Sequence, residues 1–255
     1  MPPGGTDEKK FPWGAGGAIT TNLAIGSLRE SMLMWLKDQR GIHAETLLLV
    51  IGALAGFAGQ CAAWDRVARK QLPQLSAGGV RIATIGLKSG EKLYFGDLIN
   101  GYLVPQGVTD YPLSGFVLAA ATAAGIPDSE VPNFEEMFAF IASNIENQPD
   151  FGVPRTPDDH KPMLRPRQAL DIFWPRARFI MTRTDNKMAL GENVATELWP
   201  VVTGVVTNQF LMMTKDALDP RLGVRIVMET AIAMSKVDPK KVPQTPPQPP
   251  TPRQG

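Results

Sequence analysis

The sequence is poor in the residues that most often carry covalent or metal chemistry. It contains one cysteine, Cys61, and two histidines among 255 residues. A single cysteine excludes an intrachain disulfide, which fits a reducing compartment. The amino-terminal stretch MPPGGTDEKKFPWGAGG has no apolar core of the kind found in secretory signals. These absences predict a cytoplasmic protein without a disulfide framework.

Known catalytic motifs are also missing. No G-x-S-x-G motif occurs, so a serine nucleophile has no recognisable context. His43-Ala44-Glu45 matches the first half of a zinc deaminase signature, but the second half needs two cysteines and the chain has one. We therefore predict no metal and no cofactor. His43 and Glu45 stay as candidates for acid–base chemistry, and a larger site would require the fold to join them to Cys61 and His160.

A structural interpretation of the same two residues competes with the catalytic one. An acidic side chain in the first turn of a helix interacts favourably with the helix dipole, which accounts for Glu45. His43 is then a helix cap or a surface residue. The structural interpretation accounts for both residues and is the one that we favour.

The net charge of +1 supplies no global field that would attract nucleic acid or acidic lipid, so we expect neither as a partner. Charge is nevertheless segregated along the chain. Residues 128–150 contain six acidic side chains and no basic one, whereas residues 153–187 contain eight basic and four acidic side chains. The two segments could therefore pack against each other, with Arg167 paired to Asp171 one helical turn away.

The basic segment also contains aromatic residues. Arginine beside an aromatic ring can bind phosphate and stack on bases. The candidate anion-binding residues are Arg165, Trp174, Arg176 and Arg178.

The longest apolar run lies between residues 44 and 63. From Thr46 to Ala63 it has 18 residues, slightly fewer than the roughly 20 that a bilayer needs. Basic residues flank both ends, so they indicate no membrane orientation. Gly52 and Gly56, followed by Gly59, allow a second helix to approach closely. We predict a buried central helix over residues 43–71; the alternatives are a membrane-inserted helix over 44–63 and an interface between subunits.

Other segments have helical periodicity, and one has the character of a hairpin. Residues 80–95 read as two short strands around KSGE. Ser114 and Asn133 are predicted helix N-caps. The remaining predicted helices cover 22–39, 97–103, 167–181 with a bend at Pro175, 195–218 with a bend at Pro200, and 221–236.

Both ends have the composition of disordered chain. Residues 1–19 are rich in glycine and proline, and residues 237–255 are rich in proline. In the second segment Lys240, Pro243 and Pro246 have the spacing of a basic PxxP ligand, which makes this tail a candidate contact for a protein partner.

The sequence as a whole predicts one mainly α-helical domain over residues 20–236, built around the 43–71 helix and carrying one small β-hairpin. Because no catalytic constellation stands out, the leading functional hypothesis is a non-catalytic intracellular interaction or assembly module that self-associates. The alternatives are an enzyme with an acid–base or metal site near His43 and Glu45, and a membrane-associated protein that inserts residues 44–63.

Overall fold

Helices form most of the chain, joined by loops and two short antiparallel ribbons. The computed structural model describes residues 17–71, 82–147, 150–182 and 193–245. Within these ranges the helices are α1 (Gly17–Leu36), α2 (Ala44–Arg69), α3 (Asp97–Asn100), α4 (Leu113–Ala123), α5 (Phe134–Ser143), α6 (Pro166–Met181), α7 (Trp199–Thr214) and α8 (Pro220–Met234). The predicted mainly α-helical class is confirmed.

The ribbons are small. Strands β1 (Lys37–Asp38) and β2 (Gly41–Ile42) join α1 to α2. Strands β3 (Ala83–Gly86) and β4 (Lys92–Phe95) pair antiparallel, with Ala83 opposite Phe95. The turn between them contains Gly90 at a positive φ of 79°, a conformation that glycine adopts without strain. This is the predicted hairpin, and it is confirmed.

Helix α2 is the centre of the fold. His43 caps its first turn, because the imidazole accepts a hydrogen bond from the backbone N–H of Thr46. Lys70 ends it in the left-handed conformation. Helix α2 is long and apolar enough to cross a membrane by length and composition, but 94% of its most apolar window is buried inside the fold. Helices α6, α7 and α8 pack around it, so protein covers its apolar faces.

Helices α2 and α8 approach each other closely. A Cβ atom on Gly52 would lie 2.7 Å from the carbonyl oxygen of Val227, and one on Gly56 would lie 2.7 Å from the carbonyl carbon of Ala231. Both distances are too short for any real Cβ atom, so only glycine permits this approach. A Cβ atom on Gly59 would lie 3.0 Å from the side chain of Tyr102. The glycine face of α2 is therefore filled by the same chain.

Aromatic side chains fill the space between α2, α6 and α7. Trp174 is fully buried. Its ring meets Phe57 edge-on at a centroid distance of 4.6 Å and lies 5.7 Å from the ring of Trp199. Contacts of this geometry add to the stabilisation from buried area.

Several helix ends differ from the sequence-based expectation. Helix α1 begins at Gly17, five residues before the predicted start at Asn22. Ser114 is fully buried in the first turn of α4 rather than capping it, and Pro112 occupies the N-cap position. Pro200 lies in the first turn of α7, where a missing N–H removes no hydrogen bond, so no bend is needed there. The predicted cap at Asn133 is confirmed, since its side chain accepts from Glu135 N at 2.8 Å.

The packed chain continues past the predicted limit at residue 236. Val237 and Val242 are buried, and the side-chain amide of Gln60 donates to the carbonyl of Val237 at 2.8 Å. The predicted end of the domain at residue 236 is too early, because two buried valines hold the otherwise polar segment after α8 against the core. Within the two predicted tails, residues 1–16 and 246–255 lie outside the described residues.

The α2–α8 contact predicts a sharp difference between two glycines. Gly56→Ala should lower the free energy of unfolding by about 1–3 kcal/mol, because the new methyl group meets the backbone of α8. Gly26→Ala in α1 is the matched control: a Cβ there meets nothing within 4 Å. This change should raise stability by up to about 1 kcal/mol through helix propensity. Urea denaturation checks both, and a Gly56→Ala variant as stable as the unmodified protein would contradict the contact.

Candidate functional site

Both histidines of the chain meet at one carboxylate. Nδ1 of His160 lies 2.7 Å from Oε1 of Glu45, and Nε2 of His43 lies 3.4 Å from Oε2 of the same side chain. Residues 45 and 160 are 115 positions apart in sequence. The fold therefore brings together His43 and Glu45, as the sequence allowed, and adds His160. Cys61 lies more than four turns further along α2 and is not part of this cluster.

Thr46, in the first turn of α2, helps to hold this cluster in place through two contacts. Nδ1 of His43 lies 2.9 Å from Oγ1 of Thr46, and that hydroxyl oxygen accepts a hydrogen bond from the backbone N–H of Met163 at 2.9 Å. The loop that carries His160 is thereby tied to the first turn of α2. Glu45 is buried, so its carboxylate depends on these partners.

The proton positions follow from the acceptors. A carboxylate only accepts hydrogen bonds, so Nδ1 of His160 carries a proton and the neutral ring has its lone pair on Nε2. The hydrogen bond to Glu45 raises the pKa of His160, and the nearby charge of Asp159 acts in the same direction. This is the arrangement by which a carboxylate orients a general base. Among the described residues, no group of three or more His, Cys, Asp or Glu side chains could hold a metal ion.

A pocket of about 400 Å³ lies beside His160. It is lined by Pro157, His160, Asp219, Arg221, Leu222 and Arg225. Arg221 is held by two carboxylates, with Nη2 2.9 Å from Asp219 and Nη1 2.8 Å from Glu130. Arg225 differs, because its buried Nε has no hydrogen-bond partner among the described residues. The pocket thus combines a histidine with an incompletely paired arginine.

The four candidate anion-binding residues have contacts within the chain. Trp174 is fully buried in the core and presents no face on which a base could stack. Arg165 lies 3.4 Å from Asp150, and the guanidinium of Arg176 lies 5.4 Å from the ring centroid of Trp35. Arg178 Nη1 donates to the carbonyl of Gln244 at 3.2 Å. The structure therefore gives this basic segment intramolecular roles.

The proposed charge pairing of the basic segment is present in part. Arg167 Nε lies 2.9 Å from Oδ1 of Asp171, one turn along α6, as predicted. Arg165 and Asp150 join the basic segment to the end of the acidic one.

Residues 241–245 lie along α6. Arg167 Nη2 donates to the carbonyl of Lys241 at 2.9 Å, and the Trp174 indole N–H lies 3.4 Å from Oε1 of Gln244. Val242, between these contacts, is 2% exposed. Of the predicted peptide-ligand residues, Lys240 and Pro243 are exposed, and Pro246 lies outside the described residues.

An ion pair with one fully buried partner joins the loop after α5 to α8. Glu229 is fully buried, and its carboxylate accepts from Arg155 Nε and from the Arg155 backbone N–H, both at 2.7 Å. The same guanidinium lies 4.4 Å from the ring centroid of Phe140. Sequence reasoning missed this pair. A lone glutamate within an apolar helix was the available signal, because acidic residues are rarely buried without a partner.

Lys236, just after α8, is a second buried charge that sequence reasoning missed. It is 2% exposed, and its Nζ donates to Oδ1 of Asn100. The ring centroids of Phe95 and Phe138 lie 5.8 and 6.0 Å from Nζ. No carboxylate pairs with this ammonium among the described residues, and burial lowers the pKa of Lys236 to about 7.

Cys61 has the environment of a structural thiol. Desolvation raises the pKa of Cys61 to about 12, even though part of the residue remains at the surface. A thiol with so high a pKa holds almost no thiolate at neutral pH and is a poor nucleophile.

Comparison with known proteins gives no assignment for these groups. No family model, no curated protein and no solved structure matches the chain. The function must therefore be argued from the residues and their geometry.

The His160–Glu45 contact predicts a raised pKa of His160 that the substitution Glu45→Gln should lower. NMR should give His160 a pKa above 6.5, and Glu45→Gln should lower it, because the amide cannot stabilise the imidazolium as a carboxylate does. Asp159→Asn is the control and should have the smaller effect. Since the folded-state pKa is raised, the contact stabilises the fold most below pH 6.5 and its contribution disappears as pH rises through the folded-state pKa. Equal pKa values in the Glu45→Gln variant and the unmodified protein would rule out this contact.

Burial of Lys236 predicts that the free energy of unfolding depends on pH with the opposite sign. Its pKa is about 7 in the folded state and near the ordinary 10.5 when unfolded, so the unfolded chain binds more protons between these values. Stability should therefore rise with pH across this window, by up to about 1.4 kcal/mol per pH unit. Lys236→Met should abolish this slope and be at least as stable at pH 7. Urea denaturation at pH 7, 8 and 9 gives the free energy of unfolding of both proteins. The same dependence on pH in the two proteins would refute a lowered pKa for Lys236.

Proposed function

We propose that the protein is a non-catalytic interaction module that self-associates by exchanging its C-terminal segment between copies. The observation that carries this proposal is the docking of residues 241–245 along α6. A surface that receives a proline-containing segment of its own chain can receive the same segment of another copy, because the contacts are identical.

The docking uses groups suited to extended, proline-containing chain. Proline has no N–H, so such a segment presents unpaired carbonyl groups and needs external donors. Arg167 and Arg178 supply them, one to each end of the docked segment. Val242 anchors the middle of the segment in the apolar core. Hydrogen bonds to the peptide backbone together with a pocket for a side chain are a common basis for recognition of extended peptides.

The point at which the chain could separate lies near Lys240. On its amino-terminal side, Val237 and Asp238 are buried and held by the core. On its carboxyl-terminal side the docked segment begins, and Lys240 itself is exposed. Exchange at this point would keep the core of each copy intact. Because the local segment competes at a high effective concentration, we expect exchange to grow with protein concentration.

The glycine face of α2 does not support the other route to self-association. Gly52 and Gly56 contact α8 of the same chain, so a second subunit could reach them only after α8 had moved away. The burial of α2 likewise favours a core helix over a membrane-inserted one. A cytoplasmic location is part of the same proposal and rests on the low cysteine content.

A second candidate function is acid–base catalysis at His160. The specific observation in its favour is the hydrogen bond from Nδ1 to Glu45, which leaves Nε2 as the basic nitrogen beside a pocket. A catalytic assignment needs a substrate in that pocket, whereas the interaction module needs none.

The docked segment should protect the peptide bonds after Lys240 and Lys241 from trypsin. Arg178→Gln removes one donor to the segment, so cleavage in the native state should be about fivefold faster, the effect of losing about 1 kcal/mol of local stability. Arg176→Gln on the same helix is the matched control, because Arg176 contacts Trp35 instead. Equal cleavage rates in the two variants would overturn the docking.

Exchange is measured on the same proteins by light scattering across a dilution series. The unmodified chain should form dimers as its concentration rises, and Val242→Asp, which puts a charge in place of the anchor, should remain monomeric. An unmodified chain that stays monomeric throughout would refute exchange while leaving the docking intact.

A further inference from the structure

We propose that the pocket beside His160 binds a small molecule carrying a phosphate monoester, with Arg225 and His160 as its principal ligands. This site is separate from α6 and does not depend on exchange of the C-terminal segment. It gives the acid–base candidate at His160 a class of substrate.

The polar wall of the pocket has an excess of donors over acceptors. Arg221 is already held by Asp219 and Glu130, so its charge is largely compensated. Arg225 also lines the pocket, and its Nε has no hydrogen-bond partner among the described residues, so its guanidinium keeps donor capacity that an acceptor on a ligand could use. Asp219 also caps α8 by accepting from Arg221 N at 2.8 Å, which engages part of its carboxylate. The wall therefore lacks a hydrogen-bond acceptor, which a bound oxyanion would supply.

His160 contributes the second donor. Its Nδ1 is fixed by Glu45, so Nε2 is the ring nitrogen left for a ligand. Its nearest ionic partner on that side is Asp159 Oδ2, at 3.9 Å, beyond hydrogen-bond distance. The protonated ring would donate to the ligand from Nε2. A phosphate has three acceptor oxygens and can satisfy both the guanidinium and the imidazolium, whereas a carboxylate has two.

The size and the apolar wall indicate more than an inorganic ion. About 400 Å³ is ample for a phosphate joined to a small organic group. Pro157 and Leu222 line the pocket with apolar surface that such a group could cover. A phosphate monoester of a small apolar alcohol should therefore bind more tightly than inorganic phosphate.

The binding should depend on pH through His160. Above the second ionisation of the phosphate, near pH 6, the ligand stays dianionic while the imidazolium loses its proton. The pKa of His160 is raised by Glu45, so we expect affinity to fall as pH rises through that raised value. The other charged groups around the ring and pocket are Asp158, Asp159, Lys161, Asp219, Arg221 and Arg225.

Calorimetric titration of the full chain with phenyl phosphate tests the site, with inorganic phosphate as the second probe. Phenyl phosphate should bind at one site per chain and more tightly than inorganic phosphate. Arg225→Gln should weaken it at least about tenfold, the effect of removing a charge-assisted hydrogen bond. Arg69→Gln is the matched control, because that arginine pairs with Asp65 on α2 away from the pocket, and should leave the affinity unchanged. His160→Gln should remove the fall in affinity that His160 causes as pH rises through its raised pKa.

Each other outcome counts against the proposal. Absence of saturable binding up to about 10 mM phenyl phosphate, a range that covers even millimolar affinities, would overturn it. An equal loss in the Arg69→Gln variant would indicate a non-specific charge effect and would also overturn it. If Arg225→Gln lowers the melting temperature, Arg225→Lys is used to separate loss of binding from loss of stability. It keeps the charge but not the planar donor pair, and should bind more weakly than the unmodified protein.

Discussion

The backbone contact between α2 and α8 is the constraint from which the rest of the structure follows. Two glycines one turn apart let α8 lie directly against the apolar centre of α2. Once α8 is in that position, the buried Glu229 must be paired, and Arg155 from the loop after α5 supplies the partner. Because α8 ends close to Gln60, the carbonyl of Val237 can accept a hydrogen bond from that side chain. The segment that docks on α6 begins a few residues later. A single close approach is thus linked to the positions of the Glu229–Arg155 pair and of the docked residues 241–245.

The sequence was a good guide wherever a local pattern determines structure. The apolar run after His43, the hairpin around KSGE and the cap at Asn133 each depend on neighbouring residues, and each was predictable from them. The glycine spacing on α2 predicted a close contact, although not with which helix. Errors occurred at helix ends. Pro200 looked like an interior bend because the pattern before it extends the helix too far, whereas in the structure it stands in the first turn.

The candidate site was less predictable because its members are distant in sequence. Nothing local joins His160 to Glu45, which lies 115 residues earlier, and a proline-rich loop gives no periodicity from which its position could be inferred. The basic segment shows the opposite difficulty. Arginine beside tryptophan suggested an external ligand, but a sequence cannot distinguish a ring at the surface from one like Trp174 that fills the core. Charged residues in apolar context, such as Lys236, were the overlooked signal.

Trp174 has a consequence beyond its packing. Its ring completes the aromatic cluster with Phe57 and Trp199, while its indole N–H faces the side chain of Gln244. One residue therefore belongs both to the buried aromatic cluster and to the contact that holds the C-terminal segment. Departure of that segment would leave the indole N–H without its partner at the edge of the core, and the cost of an unpaired buried donor favours the docked position.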